Sequence, residues 1–188
     1  MIDHDRISPL EYAKSVTRGD IQIGRGVVAV DPAVSANKNS NETGIIYAHV
    51  DRNKPAHLYV VTDATVGGVR PEAWAKAVIK TYKYHEADRV VGEVNNGGDL
   101  VESNLRNFDR SISYKQVRAT KGKILRAEPV SALYEQHRVH HVGNFPQLED
   151  QMTEYDGTQT SPDRLDALVW AATELIVTGS KARSLVTW

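Results

Sequence analysis

Acidic residues stand at matching places in three predicted elements that are far apart in the sequence. Asp31 ends one apolar run, Glu93 lies at the end of a second, and Asp163 and Asp166 fall in the first turn of the last predicted helix. Strands that run in parallel end at the same edge of a sheet, and a helix can lay its first turn across that edge. We therefore expect these carboxylates to lie close together.

The chemistry expected of such a group is metal binding. Gathered carboxylates repel one another unless a cation neutralises them, so one or two hard divalent ions are the expected occupants. The chain has no cysteine, which excludes thiolate sites and favours Mg²⁺ or Mn²⁺ on oxygen ligands. Two such ions about 3.5–4 Å apart can activate water on one side of a phosphodiester and stabilise the leaving oxygen on the other. The alternative is that Asp31, which precedes Pro32, only caps a turn.

A second group of candidate functional residues is basic and contains no acid. Its members are Lys115, Arg118, Lys121, Lys123 and Arg126. Such a cluster can neutralise DNA phosphates, although the net charge of the whole chain is only −1. The solvated start of a helix explains the same run equally well.

Other motifs are less informative. His140 and His141 could bind metal or transfer protons, but on a short strand a structural role is the more common one. Gly97-Gly98 leaves room for a phosphate and equally suits a tight turn. Gly122-Lys123 lacks the first glycine and the Ser or Thr of a P-loop, so an ATPase of that type is not predicted.

Hydrophobic patterning predicts the elements that position these residues. Three strands with short connections predict an antiparallel meander over Val27–Val30, Gly44–Val50 and Leu58–Thr62. Further elements are predicted at 71–86 (helix), 90–94 (strand), 100–108 (helix), 112–118 (strand), 126–137 (helix), 139–142 (extended) and 145–155 (helix). The order predicts an α/β fold whose mixed central sheet combines the three antiparallel meander strands with parallel strands, with helices on both faces.

Prolines define two of the predicted helix starts. The helix over 126–137 should effectively begin near Glu128, with Pro129 in its first turn. The last helix should have Ser161 as its N-cap and Pro162 at its first position, and Gly179 should end it.

Length and composition indicate one domain. The 188 residues are 40% hydrophobic, which suffices for a substantial core. We expect residues 1–25 to be an arm or linker with a short helix over Pro9–Val16, and residues 26–188 to form the domain. The charged first twenty residues exclude a signal peptide, and no apolar run has transmembrane length, so an intracellular protein is expected.

Four sequence blocks closely resemble the C-terminal nuclease domain of the large terminase subunit of tailed bacteriophages. They are Val-Val-Ala-Val-Asp-Pro-Ala (27–33), Glu-Val-Asn-Asn-Gly-Gly-Asp (93–99), the stretch 121–135, and Ser-Pro-Asp-Arg-Leu-Asp-Ala-Leu-Val-Trp-Ala (161–171). The resemblance runs from about Gly26 to Val177. It implies an RNase H-like fold and a two-metal endonuclease that cuts concatemeric viral DNA during genome packaging.

The resemblance also implies roles for individual residues. Asp31 would bridge both ions, Glu93 would be the ligand from the second strand, and Asp166 would be the acid of the final helix. Asp163 would be a further ligand or a partner of the ligands. Lys121, Lys123 and Arg126 would face the DNA backbone.

A large terminase subunit also carries a packaging ATPase, which this chain lacks. The resemblance therefore implies an excised domain or a prophage relic that works in the bacterial host cytoplasm, with a terminase small subunit and a portal protein as partners in the full motor. Two other functions stay open: a RuvC-like junction resolvase with the same acidic cluster, and a non-catalytic module that binds DNA or the portal. An actin-like nucleotide-binding domain is disfavoured because Pro32-Ala33-Val34 is not a glycine-rich turn.

Overall fold

The computed structural model describes residues 6–32, 42–67, 70–94, 100–119, 122–156 and 162–177. The strands in these ranges are β1 (Arg6–Ile7), β2 (Ile23–Asp31), β3 (Glu42–Asp51), β4 (Leu58–Asp63), β5 (Val66–Gly67), β6 (Arg89–Glu93), β7 (Tyr114–Val117) and β8 (Val139–Val142). The helices are α1 (Pro9–Arg18), α2 (Pro71–Tyr84), α3 (Leu100–Phe108), α4 (Lys123–Glu135), α5 (Pro146–Glu154) and α6 (Asp163–Ala172). A π-helical segment, Thr173–Val177, continues α6.

The strands form one mixed sheet in the order β1-β8-β4-β3-β2-β6-β7, and β5 pairs with β3 outside this path. β2, β3 and β4 are the predicted antiparallel meander. β6 and β7 extend the sheet in parallel beside β2, and β8 lies parallel to β4 on the other side. Because β2, β4, β6 and β7 therefore run in one direction, their carboxyl ends lie at the same edge of the sheet.

The central strand β2 is buried on both faces because its apolar side chains alternate between two cores. Val27 and Ala29 pack with α4, α5 and α6. Val28 and Val30 pack with α2 and α3 on the opposite face. All four residues are fully buried. Close packing on both faces of the sheet therefore fixes the position of the end of β2, where Asp31 lies.

The predicted start of α4 is wrong. The helix begins at Lys123 rather than near Glu128, so Pro129 lies inside the helix and not in its first turn. Pro129 has no N–H to donate to the carbonyl of Leu125 four residues earlier. Leu125 is 54% exposed, so this turn of the helix faces solvent and water can reach it. The proline therefore costs less here than it would in a buried helix.

The helix α6 begins one residue later than predicted. Pro162 has extended backbone angles, φ −72° and ψ 134°, so it precedes the helix instead of forming its first turn. The predicted N-cap Ser161 and the predicted end at Gly179 lie outside the described residues.

Residues 6–25 contact the sheet directly. The predicted short helix is present as α1; Ser8 caps it by accepting a 3.2 Å hydrogen bond from the Glu11 amide, and Gly19 ends it with a left-handed φ of 81°. β1 pairs with β8, and the Tyr12 hydroxyl lies 2.6 Å from Nε2 of His49. Among the described residues, no helix has the length and apolar character that crossing a bilayer requires.

Candidate active site

Two neighbouring parallel strands carry Asp31 and Glu93 to the same edge of the sheet. Val30 of β2 pairs in register with Gly92 of β6, and the next residue of each strand is the acid. Both acids are buried, with 8% of Asp31 and 9% of Glu93 exposed. The close packing of the two strands therefore sets the position of the two carboxylates.

The first turn of α6 lies over the end of β2. Asp163 is the first residue of this helix and Asp166 follows one turn later. Gly44, the partner of Asp31 on β3, lies so close to the helix that a Cβ atom built on it would be 2.0 Å from the carbonyl oxygen of Asp163. Only glycine permits this approach.

An arginine of the same helical turn fastens α6 to the sheet. Arg164 donates from Nε to Oδ2 of Asp63 at 2.9 Å, and its Nη1 contacts Oε2 of Glu42. Asp63 ends β4 and Glu42 begins β3, so both partners lie at the edge that carries Asp31. The position of Asp166 relative to the sheet is thus fixed by a backbone contact and by a two-partner ion pair.

We call Asp31, Glu93, Asp163 and Asp166 the acid edge. Burial, followed by the negative charges of Asp166, Asp163 and Glu93, raises the pKa of Asp31 from 3.8 to about 8, and Lys123 opposes the shift. Burial and the charge of Asp166 likewise raise the pKa of Asp163 to about 6. The four carboxyl groups therefore lie within electrostatic reach of one another, and their full ionisation would leave more negative charge than their surroundings neutralise.

Three side chains hydrogen-bond or lie against the acid edge. Lys123, at the start of α4, places Nζ 2.7 Å from Oδ2 of Asp166. Arg126 places Nη1 3.6 Å from Oε2 of Glu93. The indole N–H of Trp170 donates to the same oxygen of Glu93 at 3.1 Å. These contacts neutralise part of the charge.

The donor set fits a hard divalent cation, but it is not arranged as a complete ligand group. All four acid-edge side chains offer carboxylate oxygens, the ligands that Mg²⁺ and Mn²⁺ prefer. Within the ranges that the structure describes, no three His, Asp or Glu side chains stand close enough to hold a metal ion together. One oxygen of Asp166 is hydrogen-bonded to Lys123, so this side chain would have to rotate for a full ligand set to form, whereas the contact of Glu93 with Trp170 uses Oε2 alone.

Comparison with protein families gives a match over most of the chain. The family model described as "Terminase RNaseH-like domain" covers residues 28–175. The chain belongs to this family. The comparison with curated proteins gave no match.

Solved structures of terminase nucleases have the same fold. The large terminase nuclease of thermophilic phage G20c, with bound zinc, gives a TM-score of 0.59 at 15% identity, over 82% of this chain and 85% of that one. The nuclease domain of the large terminase subunit gp2 of bacterial virus Sf6 gives 0.57 at 14% identity, over 87% and 95%. RuvC from Thermus thermophilus gives 0.53 at 11% identity, over 83% and 96%. These likenesses confirm the predicted RNase H-like fold. The G20c nuclease is also known with bound magnesium and with bound cobalt.

The predicted basic cluster of this terminase RNaseH-like domain divides into separate groups. Lys123 and Arg126 lie against the acid edge. Lys115 instead places Nζ 2.7 Å from Oε2 of Glu174, a buried acid of the π-helical segment. Arg118 is exposed beyond the end of β7, and Lys121 lies outside the described residues. A DNA-binding role for all five residues stays a prediction.

The histidines lie elsewhere in the sheet. His140 and His141 belong to β8, three strands away from β2. Nε2 of His141 lies 2.7 Å from the Tyr134 hydroxyl, and Nδ1 lies 3.0 Å from Glu149. His140 contacts His57, with 2.7 Å between the two ring nitrogens. The glycines Gly97 and Gly98, predicted to leave room for a phosphate, lie outside the described residues.

Sequence reasoning missed two residues that contact or hold the acid edge. The spacing of apolar residues in the last predicted helix puts Trp170 on its buried face, but spacing does not show where the indole N–H points. Sequence reasoning assigned no role to Arg164. A cation in the first turn of a helix opposes the helix dipole, so an arginine at this position indicates acidic partners in other elements.

Proposed function

We propose that this chain is a metal-dependent endonuclease that cuts concatemeric viral DNA during genome packaging by two-metal phosphodiester hydrolysis. The observation that carries the proposal is the acid edge, where four carboxyl groups from three elements come together and where burial, followed by the charges of the other three acids, raises the pKa of Asp31. A carboxylate that only caps a turn does not require such an excess of negative charge. Membership of the terminase RNaseH-like domain family supports the same activity.

Asp31, Glu93 and Asp166 would hold the ions, and Asp163 would be a fourth ligand or a partner of the ligands. When bound, two Mg²⁺ or Mn²⁺ ions would supply an activated water and neutralise the charge on the leaving oxygen. Asp166 would have to exchange its contact with Lys123 for a metal ion. The ammonium group of Lys123 would then stay beside the site, where a DNA phosphate can take the place of the carboxylate.

Arg126 has the features of a phosphate-binding residue. Its side chain is only 10% exposed, and within the described residues its Nε and Nη1 atoms have no hydrogen-bond acceptor. Buried donors without acceptors are costly, and a phosphate offers two oxygens in the geometry that a guanidinium prefers. We therefore propose double-stranded DNA as the substrate, bound through its backbone. Phosphate contacts do not read sequence, so cleavage by this domain should show little sequence preference.

The remaining parts of the proposal concern partners. In the full packaging motor the domain would act with a terminase small subunit, a portal protein and a packaging ATPase, in the cytoplasm of the bacterial host. The small subunit would supply the choice of cutting site, and the ATPase would supply the force.

The test is cleavage of supercoiled plasmid by the purified protein in Mg²⁺, in Mn²⁺ and in EDTA. We expect nicking or cutting with either metal and none in EDTA. Asp31→Asn keeps the side-chain volume and should lower the rate by more than the roughly 10–100-fold loss that follows removal of a group that only orients a metal ligand. Asp150→Asn changes an exposed acid on α5 and is the matched control. Full activity of Asp31→Asn would refute the nuclease proposal.

A junction resolvase is the second candidate because RuvC shares the fold. Parallel assays on linear duplex and on a four-way junction separate the two activities. Faster cutting of the linear duplex supports the packaging nuclease, and cutting of the junction alone supports the resolvase. DNA binding without cleavage in either metal would favour the non-catalytic module.

A further inference from the structure

Trp170 joins three elements at the acid edge. It lies on α6 and is 5% exposed. Its indole N–H donates to Oε2 of Glu93 on β6 at 3.1 Å. The face of its ring carries the guanidinium of Arg126 on α4, with Cζ 4.6 Å from the ring centroid. One side chain therefore contacts both a carboxylate and a cation of the candidate active site.

The other buried tryptophan in the described residues has a different environment. Trp74 is 6% exposed, nearly the same as Trp170, but it lies on α2 in the apolar core on the opposite face of the sheet. Burial alone therefore does not account for the contacts of Trp170. Trp74 gives a matched control for any loss of packing that a tryptophan substitution causes.

The two contacts of Trp170 have different chemical consequences. The N–H bond occupies one oxygen of Glu93 and so limits how that carboxylate can rotate, which leaves its other oxygen for a ligand. The ring face attracts the Arg126 guanidinium without using any of its N–H groups. Within the described part of the chain, Nε and Nη1 of Arg126 are buried and make no hydrogen bond, so an anion that reached them would supply the acceptor they lack.

We propose that Trp170 is a positioning residue that sets the separation between the metal ligand Glu93 and a phosphate-binding Arg126. The inference rests on the proposed nuclease function. The N–H orients the carboxylate for the metal, and the ring face orients the guanidinium for a DNA phosphate. The helix α6 is held against the sheet at Gly44. The indole on this helix therefore keeps the Glu93 carboxylate and the Arg126 guanidinium at a fixed position relative to Asp166, which lies on the same helix.

Two substitutions separate the two contacts. Trp170→Phe removes the N–H and keeps an aromatic face, whereas Trp170→Leu removes both. Trp170→Phe should weaken Mn²⁺ binding about 10-fold, which is the usual effect of removing a group that hydrogen-bonds a metal ligand. It should leave DNA binding in EDTA close to that of the wild type. Trp170→Leu should weaken Mn²⁺ binding similarly and also weaken DNA binding about 3–30-fold, the range of a lost cation–π contact.

The measurements are titration calorimetry with Mn²⁺, fluorescence anisotropy with duplex DNA in EDTA, and urea unfolding of each variant. Trp74→Phe should lose a comparable amount of stability but bind Mn²⁺ and DNA like the wild type. If Trp170→Phe binds Mn²⁺ as tightly as Trp74→Phe does, the positioning role is wrong while the nuclease proposal survives. If the wild type itself binds no Mn²⁺ and cuts no DNA, both proposals fail.

Discussion

The acid edge and a second buried polar group differ in their balance of charge. The second group, which we call the Glu149 cluster, consists of Glu149, His141, Tyr134 and Arg6. Burial acts to raise the pKa of Glu149, but hydrogen bonds from Arg6 and His141 outweigh it and lower the pKa. At the acid edge, by contrast, burial and neighbouring acids raise the pKa of Asp31 to about 8.

The difference separates a structural polar group from a candidate functional one. Glu149 is a single carboxylate with a guanidinium and an imidazole as partners, so its negative charge is satisfied inside the protein. The acid edge holds four carboxyl groups against Lys123 and Arg126, so full ionisation of the four would leave a surplus of negative charge. A surplus that folding does not require points to a ligand of opposite charge.

The largest expected effect on stability is at the Glu149 cluster. Glu149→Gln should lower the free energy of unfolding by about 2–3 kcal/mol, because Arg6 and His141 lose a buried negative partner. Urea unfolding measures the change. Plasmid cleavage per folded molecule should equal that of the wild type. A variant as stable as the wild type would show that Arg6 and His141 do not depend on the negative charge of Glu149.

The next effect is the pH dependence of the free energy of unfolding. Its sign is opposite to that of an ordinary salt-bridged acid, which makes a protein more stable as the pH rises. The pKa of Asp31 in the folded protein, about 8, exceeds its ordinary value of 3.8, so the folded state binds more protons than the unfolded state between these values. In EDTA the free energy of unfolding should therefore fall steadily as the pH rises from about 4 to about 8.

Two comparisons identify Asp31 as the cause of this pH dependence. Asp31→Asn should have a flatter profile in EDTA, and added Mn²⁺ should reduce the slope of the wild type, because the ion neutralises the ionised carboxylate. Urea unfolding across this pH range measures both effects. Identical slopes for the wild type and Asp31→Asn would show that the raised pKa does not affect stability.

The smallest effect is on the salt dependence of DNA binding. Lys123→Met should lower the slope of log affinity against log salt concentration by up to about one, because one phosphate contact is lost. Lys80→Met changes an exposed lysine on the opposite face of the sheet and is the control. Anisotropy titrations at several salt concentrations measure the slopes. Equal slopes for the two variants would show that Lys123 only neutralises Asp166.

The central part of the fold could be predicted from the sequence because its patterns are local. Continuous apolar runs predict β2 and β6, and the spacing of apolar residues along α6 predicts its buried face. Asp31 and Glu93 could be placed at one edge of the sheet because each lies at the end of one of these runs. The start of α4 could not be predicted, because whether a helix tolerates Pro129 depends on solvent access to the preceding turn.

The partners of charged residues could not be predicted because they depend on contacts distant in sequence. Lys115 and Lys123 belong to the same basic run, yet the first pairs with Glu174 and the second with Asp166. Nothing local distinguishes them. The indole N–H of Trp170 is a similar case, since periodicity indicates the buried face of α6 but not the acceptor that lies there.

Gly44 has a consequence for how this molecule can change. The backbone of β3 and the backbone of α6 touch with less clearance than one methyl group needs, so main-chain contact sets the spacing between Asp31 on β2 and the two acids of α6. Side-chain substitutions around the site can alter charge or affinity without altering that spacing. Any residue larger than glycine at this point would instead move the whole helix, and with it every group the helix carries.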